Sequence, residues 1–127
     1  MAYTGQPVPT TEYQIPVAKI SDGKSVVVTA TGNVVQGDFY EIEGFFGVAM
    51  TNGKAGDKVV LNIEQAEYET DQINTSEAFN KGDLVYFDAN SKRLTTSNGG
   101  GANRKVGRVT VPKDINNVIW FILGPQF

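Results

Sequence analysis

The chain has 127 residues, of which 40% are hydrophobic and 20% charged, with a formal net charge of −3. That composition fits one folded domain with a modest core, and the acidic balance argues against a nucleic-acid binder, which normally presents a basic face. Cysteine and histidine are both absent, which excludes disulfides, thiolate nucleophiles, Cys/His metal sites and the usual base of a nucleophilic triad.

Residues 1–24 read as an extended N-terminal arm. Pro7, Pro9 and Pro16 fix φ and push the residues before them toward extended geometry. No apolar period is sustained there, yet Tyr3, Val8, Tyr13, Ile15 and Val17 are more than a solvated tail needs. The expectation is an arm that orders on a partner, with Tyr3, Pro7, Val8, Pro9, Tyr13, Ile15, Pro16 and Val17 making the contact. No charged stretch followed by an apolar core opens the chain, so no secretory signal is read.

Residues 25–127 form the β-rich domain. Strands are predicted over residues 26–30, 39–43, 45–50, 58–68, 84–88, 105–111 and 118–123, all rich in Val, Ile, Tyr and Phe and punctuated by Gly, Asn and Asp. Gly37-Asp38, Gly56-Asp57 and Gly82-Asp83 each open such a run. Asp in that place is a turn device rather than a catalytic group. Within 58–68 the alternation of Val59, Leu61 and Ile63 switches face at Gln65 and Glu67, which predicts a bulge or a bend. Residues 76–80 hint at a single helical turn, and 97–103 at a surface loop. The run 118–123 is apolar on both faces, so it is either central to the core or covered by another subunit. It is also the longest apolar run, far too short to span a bilayer. The fold class expected is all-β, a small barrel or sandwich-like domain with an extended arm and at most one short helical turn.

Candidate chemistry fails on its own requirements. Residues 18–25, AKISDGKS, meet a relaxed phosphate-loop pattern, but a β-branched run follows where a helix N-terminus is needed. Gly99-Gly100-Gly101 lacks the third small residue and helix of a dinucleotide loop. Asp88-x-Asn90 starts like a calcium loop and fails at Lys92. Glu64, Glu67, Glu69 and Asp71, and separately Glu41 and Glu43, could pair for glycoside hydrolysis, but they read more simply as solvated strand faces. No cofactor, metal or enzymatic activity is expected.

Four segments in order carry a family likeness: GDFYEIEGFFGVAM at 37–50, AGDKVVLNIEQAEYE at 55–69, FNKGDLVYFDANSKRLTT at 79–96, and Lys105-Val106-Gly107-Arg108-Val109. Over about residues 34–111 the chain resembles the small decoration, or cement, proteins of tailed-phage capsids. The resemblance implies a β-rich, non-enzymatic virion protein on the outer surface of the mature head, made in the host cytoplasm. Its partners would be the major capsid protein and two further copies of itself, as trimers at threefold and quasi-threefold positions. It further implies an arm lying on the capsid lattice. Some members of that family carry a recombinase label, which the failed phosphate loop and the acidic charge argue against importing. The segment VIWFILGPQF departs from the family pattern in length and apolarity. Trp120, Phe121 and Phe127 are therefore expected at a subunit interface, with Trp120 and Phe121 divided between core and neighbour. The alternative is a carbohydrate- or host-surface-binding module with Tyr40, Tyr68 and Tyr86 as platforms.

Overall fold

A computed structural model describes residues 18–127. Nine strands follow in chain order: β1 (Ser25–Thr29), β2 (Phe39–Ile42), β3 (Phe45–Ala49), β4 (Lys58–Asn62), β5 (Glu67–Thr70), β6 (Leu84–Asp88), β7 (Arg93–Thr95), β8 (Arg104–Val111) and β9 (Ile119–Leu123). They form two antiparallel sheets, of order β1-β4-β3-β2 and β5-β9-β8-β6-β7. The all-β expectation holds. Among the described residues the one helical turn lies at Gly99–Gly101, not at residues 76–80. There the Asn74 and Glu77 side chains bond each other at 2.8 Å and the backbone turns instead.

Three turns of one design launch β2, β4 and β6. The N–H of Asp38, Asp57 and Asp83 donates to the carbonyl three residues back, on Val35, Lys54 and Asn80, at 3.2, 2.9 and 3.0 Å. The glycine before each aspartate has φ of 96°, 91° and 89°. A type II turn needs positive φ at that place, so glycine is the fitting residue. In two of the three the carboxylate also reaches back: Asp57 accepts from Lys54 N and Asp83 from Asn80 N, both at 2.9 Å. The Asp57 and Asp83 carboxylates are thus spent on the backbone.

The β2–β3 hairpin sits between two cores. One face carries Phe39, Phe46 and Val48, which pack with Ile73, Phe79, Val85, Phe87, Leu94, Val106, Val109, Ile119, Phe121 and Leu123 of the five-stranded sheet and its loops. Phe39 and Phe46 stack at 5.5 Å, and Phe121 tilts against Phe39 at 5.3 Å. Offset and tilted pairs at such distances add to what burial alone contributes. The opposite face, Tyr40, Ile42 and Ala49, packs with Val28, Ala30, Val34, Val59 and Leu61 inside the curl of the four-stranded sheet. Glu43 closes that curl, its carboxylate accepting from Thr29 N at 3.1 Å. The architecture therefore combines a sandwich on one side of the hairpin with a barrel-like curl on the other.

The predicted strand 58–68 is two strands in different sheets. The chain leaves the first after Asn62, whose Oδ1 accepts from Glu64 N at 3.0 Å, and re-enters order at Glu67. The switch in alternation marks this crossover. Strand β7 is three residues long and pairs with β6 as Tyr86↔Thr95, Phe87↔Leu94 and Asp88↔Arg93.

Two glutamines lock the hairpin between the sheets. Gln72 accepts from Phe39 N at 2.7 Å and donates to Phe39 O at 2.9 Å. Gln126 does the same for Phe46, at 2.8 and 2.9 Å. Each amide supplies one donor and one acceptor, the pair a neighbouring strand would provide. Arg104 adds to the second clamp by donating to Gly44 O at 2.6 Å and to Gln126 O at 2.5 Å.

Candidate functional site

No group of three or more His, Cys, Asp or Glu side chains able to hold a metal occurs among the described residues. The acidic residues singled out from the sequence are spent separately. Glu41 pairs with Arg104 at 3.3 Å, and Glu64 with Lys24 at 3.6 Å. Glu67 accepts from Thr110 at 2.5 Å and Glu69 from the Trp120 indole at 3.0 Å.

One carboxylate is more heavily engaged. Glu77 accepts from Asn74 Nδ2, Thr95 Oγ1, Thr96 N and Thr96 Oγ1, at 2.7–2.8 Å. Burial alone would raise its pKa; the hydrogen bonds outweigh that and hold it below the usual glutamate value. The Lys113 ammonium ties down the same turn through Thr75 O and Glu77 O. Glu77 is an organiser of the β7 margin rather than a catalytic acid.

The surface feature of note is the outer face of the five-stranded sheet. Along β9, burial alternates strictly: Ile119, Phe121 and Leu123 point inward, while Trp120 and Ile122 point outward and are 43% and 46% exposed. On one side β5 sets Glu69 opposite Trp120 and Glu67 opposite Ile122. On the other, β8 sets Val111 opposite Trp120 and Arg108 opposite Ile122. An apolar stripe thus runs between an acidic and a basic margin. It continues into a depression of about 380 Å³ lined by Leu84, Lys105, Arg108, Ile122, Pro125 and Phe127. A large aromatic at the centre of a mixed apolar and charged face is the composition of a docking surface.

The sequence-predicted residues divide. Trp120 and Phe127 are on the surface, and Phe127 lines the depression. Phe121 is corrected: it is wholly buried within its own chain against Phe39 and Tyr68, so its ring has no face to offer a neighbour. Tyr3, Pro7, Val8, Pro9, Tyr13, Ile15, Pro16 and Val17 lie outside the described residues. Two of the three tyrosines proposed as glycan platforms turn inward. Tyr40 is buried and its hydroxyl accepts from Val35 N at 2.9 Å. Tyr68 packs edge-on to Phe39 and donates to Glu64 O at 2.8 Å. Burial first, and the Glu64 carboxylate second, raise its pKa. Sequence reading missed Ile122 and the cationic margin of Lys105 and Arg108. Because residues 118–123 are apolar at every position, the residue pattern carries no signal for which side chains face outward.

A family model described as phage cement protein matches residues 20–123. Neither a curated protein nor a solved structure matches the chain. The matched span covers all nine strands, and the chain belongs to the phage cement protein family, whose members are structural components of phage capsids.

Proposed function

We propose that this cement-family chain binds the outer surface of the mature phage head, bridges adjacent capsomers as trimers at threefold and quasi-threefold positions, and so stabilises the shell. The family match carries the reading. The described surface supports it with an apolar stripe at Trp120 and Ile122 between charged margins. A pressurised shell opens at the joints between capsomers, and a trimer placed over such a joint adds three sets of contacts at once. Weak contacts combine there through effective concentration. Residues 1–24 act as the arm that extends along the capsid lattice, and residues 25–127 as the body. The partners are the major capsid protein and two further copies of this chain. The protein is made in the host cytoplasm and resides on the virion exterior.

Cryo-electron microscopy of heads decorated with the purified protein tests this. The reading expects threefold density on the outer surface, with the Trp120 face turned toward the capsid or a neighbouring copy. Heads with no added density, or single copies seated within one capsomer, would refute the bridging role.

A further inference from the structure

The outer face of β9 is flanked by charges of opposite sign, and neither sign is neutralised within the described chain. Glu67 and Glu69 on β5 are exposed and accept from neutral donors, the Thr110 hydroxyl and the Trp120 indole. Lys105 and Arg108 on β8 are also exposed, and Arg108 donates to a neutral carbonyl, Gly82 O, at 2.6 Å. Among the described residues none of these four side chains enters an ion pair. Between the two margins lie Trp120, Ile122 and Val111, all exposed, with Val111 directly opposite Trp120. Neighbouring strands lie about 4.8 Å apart, so both margins border this apolar stripe within side-chain reach.

We propose that this face is where copies of the chain meet, with the symmetry axis of the trimer parallel to β9 and the Trp120 stripes of three copies turned toward it. The assignment rests on the trimeric reading above and names the surface that builds the trimer. The charge pattern selects both the occupant and the axis. In a ring closed by rotation, each contact joins two different patches on neighbouring copies. With the axis along the strands, the margin of Glu67 and Glu69 on one copy falls beside the margin of Lys105 and Arg108 on the next, at every contact. An axis in the plane of the sheet but across the strands would set acid on acid and base on base, and such like-charge contacts oppose association. A capsid protein would have to bring the complementary order of basic, apolar and acidic groups, whereas a second copy already carries it. The apolar side chains then gather at the axis and the charges surround them, the core-and-rim arrangement of a specific interface.

Trp120 is the chain's single tryptophan, so its emission reports on this face directly. Full-length protein would be followed across a dilution series by sedimentation velocity and by tryptophan fluorescence. The emission is expected at shorter wavelength in the trimer and should move to longer wavelength as trimers dissociate. Two charge-reversed chains, Glu67→Lys with Glu69→Lys and Lys105→Glu with Arg108→Glu, should each associate at least about tenfold more weakly. The chain carrying all four substitutions restores opposite charges across the contact and should regain association, which a folding defect could not produce. Trimers that form with no change in emission would overturn the proposal and leave the trimeric reading standing, as would trimers equally stable in both charge-reversed chains. A dimer showing the emission shift and the charge-swap recovery would support this face and refute the trimeric reading. A chain that stays monomeric up to about 1 mM would overturn the proposal, and threefold density on decorated heads would still decide the trimeric reading.

Discussion

Replacing Gln126 by alanine tests how the two sheets are held together. The Gln126 amide makes two hydrogen bonds to the Phe46 backbone, at 2.8 and 2.9 Å, from a position 80 residues away in sequence. A typical intramolecular hydrogen bond contributes about 0.5–1.5 kcal/mol net, and more is lost when the abandoned partner is buried. Both bonds are partly buried, so water reaches the vacated Phe46 groups in part. The expected loss is therefore about 2 kcal/mol, the middle of the range of about 1–3 for two bonds. In urea, with a slope of about 2 kcal/mol per molar, the unfolding midpoint drops by about 1 M and the slope stays unchanged. Gln126→Glu separates geometry from bulk. Its carboxylate still accepts from Phe46 N but cannot donate to Phe46 O, so at neutral pH it places two acceptors face to face. It is expected to be at least as unstable as the alanine variant. A midpoint within about 0.2 M of the parent for both variants would refute the clamp, since that corresponds to less than about 0.5 kcal/mol.

Neighbouring residues of β9 should behave oppositely. Phe121→Ala empties the aromatic core and is expected to cost about 3–5 kcal/mol in thermal or chemical unfolding, whereas Trp120→Ala removes one exposed contact to Glu69 and should cost under about 1 kcal/mol. Head binding by Trp120→Ala, measured by sedimentation, should fall clearly despite its intact fold. Gly107→Ala would place a Cβ 2.2 Å from Ile122 O, a backbone atom that cannot swing aside, so the β8–β9 ladder must part. Its unfolding midpoint should show a loss of about 2 kcal/mol or more. Glu77 has a folded pKa below its unfolded one. Its contribution is therefore complete above the unfolded value of about 4.3 and is lost as pH falls through the folded pKa. Glu77→Gln should flatten the acid limb of a stability–pH curve while leaving the slope between pH 6 and 8 unchanged.

Much of the fold was legible because period-2 patterning and turn chemistry are local. The Gly-Asp turns, the β2–β3 hairpin and strands β4, β6, β8 and β9 follow from residues within a few positions of each other. Strand β7 escaped the residue pattern because three residues carry no readable alternation. Residues 58–68 misled because both halves are β-favouring; only the face switch hinted that the chain changes sheets after Asn62. The helical turn expected at 76–80 lost to Glu77, whose side chain bonds Thr95 and Thr96 across 18 and 19 residues. The glutamine clamps were invisible for the same reason: Gln72 and Gln126 find backbone partners 33 and 80 residues away. At the candidate surface, Trp120 stood out as a large apolar residue. The burial of Phe121 depended on which face of β9 the second sheet covers.

The central claim is that this chain is a head-binding structural protein, and co-sedimentation tests it most directly. Purified full-length protein would be mixed with expanded heads and with unexpanded proheads of the phage that encodes it, beside a chain starting at Ser25. The account predicts saturable binding to expanded heads alone, weakened when residues 1–24 are missing. Binding to neither form would contradict it.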